Sequence, residues 1–426
     1  MDRLPATAPT FTAHSRTDLP IREAAWDVQQ IEPAAPVKAD FGVSLGTSFT
    51  DPALRARFAK RGQTQELNSY RLRDVTLDAS LMLLLRGRAR IPETRYLVSD
   101  DQYADTLVKP LPADAMDPGV HFVIAINRAW HNYYHWLVQA VPAIDWTLRQ
   151  RGQHRVSLVL PPLRPWQEEI IALLGYQDVP RLTLNISSTY LLHQAEFSDF
   201  LGAGMPDAVS RAAAATFRRL DSAAPWIHGA ADEIYVARTD AENRMAQNEA
   251  ELIDHLDREG ISIIVPGTLS VAEQIAAFRA ARLVIGPHGA GLSNVAFCQP
   301  GSFVYELLPS HYPNSCVNRL AQSVGINYWA DLFESFGQGT VHERTWHIDL
   351  DTVARRLDAL RARIAATPRI ETAMSFLKRT QSAQPDQSAA PAHVTEAVTA
   401  PRQPTRGLIA RSADAMARLF SRDGRP

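Results

Sequence analysis

The sequence predicts an α/β protein made of two doubly wound domains that face a cleft, with poorly ordered ends. Three observations carry that expectation. Short apolar or β-branched runs alternate with longer amphipathic stretches from about residue 41 onward. The alternation starts afresh near Glu233, which gives two βα series rather than one. Finally, LVIGPHGAGLSN at 283–294 joins a short apolar run to a glycine-rich turn and a helix start. Such a junction belongs at the carboxyl end of a parallel strand.

Residues 1–40 are rich in Pro, Ala and Thr without a sustained period, and read as a poorly ordered N-terminal extension. The first domain spans 41–225. Within it, 120–126 and 156–160 read as strands, and 133–149, 165–174 and 210–220 as helices. The second domain spans 226–375, with strands at 233–237, 261–265, 283–285, 303–307 and 326–329. Its helices fall at 248–258, 270–281, just after Ala290, and at 350–365. Ser270 followed by Glu273 is a capping box, which places one helix start.

Residues 376–426 read as a flexible tail, with a Pro, Ala, Gln and Ser linker over 381–405. Toward its end, Leu408, Ile409, Met416, Leu419 and Phe420 share one helical face, opposite Arg411, Arg418 and Arg422. That pattern fits a basic helix over 406–422 that touches an anionic membrane or a partner. It fits equally a terminal helix that does neither.

Composition narrows the function classes. Hydrophobic residues at 46% and charged residues at 21% are those of an ordinary soluble protein. A net charge of −2 offers no footprint for nucleic acid. Two cysteines, Cys298 and Cys316, point to a reducing compartment rather than a disulfide framework. The start of the chain lacks an apolar signal core, so a cytoplasmic location is expected, extending to the inner face of the cell membrane if the tail binds there.

The chemistry concentrates in three places. In the first, Gly286, Gly289 and Gly291 would allow left-handed angles and close ligand approach. The helix opening at Ala290 would aim N–H groups at an anion, and His288 adds a donor or a charge. A nucleotide or diphosphate site follows, although neither a Walker A loop nor a full dinucleotide fingerprint is present: Asn294 stands where the third glycine would fall. In the second, Asn132 suits an N-cap and Trp136 a core anchor, while His135 opens an apolar helix as a candidate general base. His131 and His135 have metal-ligand spacing, but no third ligand accompanies them, so no metal site is expected. In the third, Arg238 and Arg244, followed by Asn248 and Glu249, would clamp a diphosphate or pair with neighbouring acids. Glu306, ending a strand after the turn, could accept the two hydroxyls of a ribose or serve as a surface acid.

Together, Asn132-x-x-His135-Trp136 with Pro142, then Arg238, Arg244 and Asn248-Glu249, then GPHGAGLSN with Pro300-Gly301 and Glu306, resemble family 61 glycosyltransferases of the bacterial capsular polysaccharide type. The resemblance covers roughly 120–308. It implies a GT-B architecture of two Rossmann-like domains, acceptor on the first and nucleotide sugar on the second. It also implies inversion at the anomeric carbon, no metal, and no cofactor beyond the nucleotide-sugar donor, with UDP the expected nucleotide. The implied acceptor is a glycan or a lipid-linked glycan, with Asn132 and Trp136 on the acceptor side. The implied base is His135, with Asp145 or Asp101 as alternatives. Arg238, Arg244, Asn248, Gly286, His288, Gly289, Ala290, Gly291, Asn294 and Glu306 would hold the donor. Two other classes stay open: a nucleotide- or glycan-binding protein of the same fold without turnover, and an NAD-dependent oxidoreductase.

Overall fold

The computed structural model describes residues 18–105, 114–152, 155–202, 207–227, 230–241 and 243–367. The expected tail at 376–426, its helix at 406–422 and residues 1–17 lie outside these. Two β-sheets organise the described chain, and both belong to one compact unit.

The second sheet is six-stranded and all parallel. Its spatial order runs Ser262–Ile264, Glu233–Val236, Leu283–Pro287, Phe303–Pro309, Asn327–Phe333 and Val43–Leu45. The chain winds outward in both directions from the gap between Glu233–Val236 and Leu283–Pro287. Ligands of doubly wound sheets bind outside the carboxyl ends at such a switch point. Side-chain alternation explains why the sheet is covered on both faces. Leu283, Ile285, Phe303 and Tyr305 enter a core shared with Leu357 and Leu360 of the Leu350–Ala365 helix. Val284, Val304 and Tyr328 face the opposite core, which continues without a break into the first sheet.

The first sheet departs from expectation. It is nine-stranded and mixed rather than doubly wound. Arg181–Thr183, Val156–Leu160, His121–Ile124 and Thr189–Ser198 form a parallel set, and Leu67–Asp78 joins it antiparallel to Thr189–Ser198. Ala25–Glu32 then pairs antiparallel with Leu67–Asp78. Residues 25–32 are therefore an eight-residue strand, not part of a poorly ordered lead-in. Ten- and twelve-residue strands at 189–198 and 67–78 were missed because polar residues interrupt their alternation, as in Asn68-Ser69 and His193-Gln194.

Local sequence accounts for the helices that bear on the site. Asn132 accepts a hydrogen bond from the Tyr134 N–H at 2.9 Å and starts a helix, Tyr133–His135. The helix widens to a π turn over Trp136–Ala140 before resuming as Val141–Arg151. Pro142 is the reason: it has no N–H to give and its ring crowds the preceding turn. The chain answers with an i→i−5 bond from Val141 N–H to the Trp136 carbonyl. The capping box at Ser270 and Glu273 forms as expected, with Oγ accepting from Glu273 N–H at 3.2 Å and Glu273 accepting from Ser270 N–H at 2.8 Å. Among the described residues, no helix is long and apolar enough to cross a membrane.

Candidate active site

The Leu283–Pro287 strand is buried throughout, and so is most of the helix that follows. Gly289, Ala290 and Gly291 between them are partly exposed. The helix, Ala290–Phe297, is a 3-10 helix. Its first N–H groups have no acceptor within the helix, so the anion-binding property of a helix start is kept.

The glycines serve close approach, not left-handed angles. None of the three lies in the left-handed region, and Gly289 is fully extended at φ 179°. A Cβ at Gly286 would meet Val236 O at 3.2 Å and Leu292 Cδ2 at 3.1 Å. At Gly291 it would meet Pro266 Cγ at 3.2 Å. At Gly289 it would collide with the Arg238 guanidinium. The turn thus presses onto the end of Glu233–Val236, across the switch point.

Arg238 stands at that end as expected. Its Nη1 donates to the His288 carbonyl and its Nη2 to the Asn243 carbonyl at 3.0 Å. Among the described residues it makes no ion pair. Its acidity rises, with the pKa brought down to about 10, first by burial and then by Arg244. A guanidinium set against carbonyls and another cation is one that an incoming anion would stabilise. Glu249 holds the strand end itself, accepting from Arg238 N–H at 2.7 Å and Tyr235 Oη–H at 3.0 Å.

His288 is buried and fixed by Glu306, whose Oε1 accepts from Nδ1 at 2.6 Å. That bond places the proton on Nδ1 and leaves Nε2 as the outward atom. Glu306 is 0% exposed, and Tyr328 Oη–H donates to its second oxygen. Where the sequence suggested a ribose acceptor, the Glu306 carboxylate meets protein groups with both oxygens and orients His288.

Two more donor candidates turn inward. Asn294, also 0% exposed, accepts from Tyr133 Oη–H at 2.7 Å and donates to Gln274 Oε1 at 2.8 Å. Asn248 accepts from Ile348 N–H at 2.9 Å and donates to the Ile348 carbonyl at 2.8 Å. Each amide joins segments of the chain. Arg244 differs: its φ is 54°, its guanidinium lies 4.7 Å from the Tyr312 ring centre, and its Nη1 donates to His342 Nδ1 at 2.8 Å.

The first motif also resolves into separate roles. His135 Nδ1 donates to Gln139 Oε1 at 3.0 Å, an oxygen that also accepts from Asn127 at 2.7 Å. Tyr96 Oη lies 3.1 Å from the same Nδ1. This fixes the ring and leaves Nε2 with a lone pair, which suits a base. Burial lowers the histidine's pKa, the Gln139 bond opposes that, and His131 adds to it. The alternatives to His135 are corrected. Asp145 is buried, bound by Tyr176 Oη–H at 2.8 Å, Thr216 Oγ–H at 2.9 Å and Arg219 at 2.9 Å. Asp101 is exposed on the Asp100–Asp105 helix. Trp136 is wholly buried against Trp166, ring centres 6.1 Å apart.

The two halves meet here. Tyr133–His135 packs on Ala290–Phe297, with the Tyr133–Asn294 bond at the contact. Cys316 lies within electrostatic reach of Tyr96 and Tyr134 on one side and of Glu306 and Arg244 on the other. His135 and His288 therefore flank one region. Tyr133, Gln139, Tyr312 and Tyr328 were not singled out from sequence; only Tyr133 sat inside a motif that flagged it. Among the described residues, no three of His, Cys, Asp and Glu cluster as metal ligands.

Residues 133–305 match the family model of glycosyltransferase 61. The chain is a glycosyltransferase. The match supports family 61 and begins and ends within the site of this transferase. It takes in Tyr133 and the whole glycine turn, and stops one residue before Glu306. Curated proteins gave no match.

Proposed function

We propose that the transferase moves a sugar from a nucleoside diphosphate donor, UDP-linked by preference, to a glycan or lipid-linked glycan acceptor, with inversion and without a metal. The reading includes a GT-B-like division into an acceptor part at 41–225 and a donor part at 226–375. It also includes a role in bacterial surface polysaccharide synthesis in the cytoplasm. The observation that carries it is the convergence of Arg238, His288 and the Gly289–Gly291 N–H groups at the switch point of a parallel sheet.

In this reaction the acceptor hydroxyl gives its proton to His135 Nε2. Its oxygen forms a bond to the anomeric carbon as the bond from that carbon to the diphosphate oxygen breaks. The electron pair leaves on the diphosphate, opposite the attacking oxygen. His288, Arg238 and Arg244 stabilise the charge that develops there, the task a divalent ion would otherwise perform. Glu306 keeps the His288 ring in place through the step.

Calorimetric titration with UDP, GDP and CDP, with and without EDTA, tests the donor site. One nucleotide should bind, equally well in EDTA. Binding to none would remove the donor reading; NAD binding in its place would favour the oxidoreductase.

A further inference from the structure

Two arginines, Arg244 and Arg344, stand on segments that run side by side near His288, with no carboxylate paired to either among the described residues: Arg244 N–H donates to the His342 carbonyl at 3.0 Å and its own carbonyl accepts from Trp346 Nε1 at 2.8 Å. Tyr312 is the hinge of the cluster. Its ring centre lies 5.5 Å from that of His288 and 6.1 Å from that of His342, with Arg244 packed over it. His311, next to it, donates from Nε2 to the Val341 carbonyl at 3.1 Å. Burial lowers the His311 pKa first, the Val341 bond opposes, and Arg344, Arg244 and His342 add to the fall, so the ring is neutral with its proton on Nε2.

Three nitrogens in this group are buried without a hydrogen-bond partner: Arg244 Nε, Arg344 Nε and His311 Nδ1. Buried polar atoms are nearly always satisfied, and each exception asks for a cause. Nor do any of these residues pair with an acid among the described residues, since the nearby Glu343 turns its carboxylate to the Thr340 N–H at 2.9 Å. Two guanidinium groups, each with a buried Nε–H that lacks an acceptor and no acid to pair with, suit an anion. Bound beside them, it would supply the missing acceptor to Arg244 Nε and Arg344 Nε.

We propose that Arg344 completes, with Arg244, an anion subsite that takes the diphosphate of the donor. The proposal rests on the donor reading above and adds a residue to it. Arg238 has two nitrogens committed to the His288 and Asn243 carbonyls. The Arg344 group supplies charge that is not committed in this way.

The test is calorimetry on wild type, Arg344→Gln and Arg344→Lys with inorganic pyrophosphate and with UDP, GDP and CDP. Arg344→Gln should weaken pyrophosphate and the preferred nucleoside diphosphate by about ten- to a hundredfold, the range of one charge-assisted bond. Arg344→Lys should recover part of the loss. If Arg344→Gln lowers the melting temperature, Arg344→Met, which keeps the side-chain length without the charge, gives the same comparison. Unchanged affinities in the uncharged variants overturn the subsite. Pyrophosphate binding that depends on Arg344, with no nucleoside diphosphate bound, keeps the subsite and removes the donor reading. Wild type binding neither ligand removes both.

Discussion

At the scale of single residues, the proposed reaction turns on two histidines, His135 held by Gln139 and His288 held by Glu306. His135 must be neutral to take a proton, and burial favours that form by lowering its pKa below the ordinary value near 6.5. The rate should therefore fall only as pH drops below that ordinary value and stay flat above it on the acid side. His135→Gln should lower kcat by about a hundred- to ten-thousandfold with little change in donor KM. A pH–rate profile of both proteins checks this; an acid limb that persists in the variant would assign the base elsewhere. The sequence singled out His135, His288 and Arg238 because each interrupts an otherwise apolar or glycine-rich run. It did not disclose what Asn248, Asn294, Glu306 and Asp145 do. Their types suit a ligand as well as a neighbour, and only tertiary contacts decide between the two.

Between elements, the junctions are what bring the site together. Gly289 was legible as a glycine that matters, but its reason was not: the partner that forbids a side chain, Arg238, is remote in sequence. Gly289→Ala should push the guanidinium aside and weaken donor binding by more than about tenfold. The melting temperature should change little, because the residue is partly exposed. Calorimetry together with thermal unfolding separates the two effects, and intact affinity would discount the contact. Tyr133→Phe tests the neighbouring joint. It leaves Asn294 Oδ1 buried without its donor, which should cost about 1–3 kcal/mol in chemical unfolding. A loss well below that range would mean that another group takes the place of the phenol. The π turn at Trp136–Ala140 belongs to the same scale. Pro142 announced a disturbance, while the apolar run around it announced a continuous helix, and the structure satisfies both.

For the molecule as a whole, the parallel half of the fold was readable and the antiparallel half was not. Strands of a doubly covered parallel sheet are short apolar runs, easy to see at 283–287 and 303–309. The long strands at 67–78 and 189–198 carry polar residues on a less buried sheet and resemble loops. The edge strand Val43–Leu45 had no local signal, because its partner, Asn327–Phe333, is remote. Arg356 secures that edge, donating to Asp331 Oδ2 at 2.8 Å and to the Ser44 carbonyl at 3.0 Å. Arg356→Ala would strand a buried carboxylate whose pKa burial already raises, so about 3–5 kcal/mol of stability should be lost. Urea unfolding measures it, and a loss under about 1 kcal/mol would show Asp331 to be neutral or rehydrated. The same edge sets an order of events on the ribosome. Gly42 N–H bonds to Asn327 Oδ1 across 285 positions. At about 5–20 residues per second, the early segment waits roughly 15–60 s for its partner to emerge. For that interval the growing chain carries an unmatched strand, and nothing downstream can close the donor sheet until nearly all of the protein has been made.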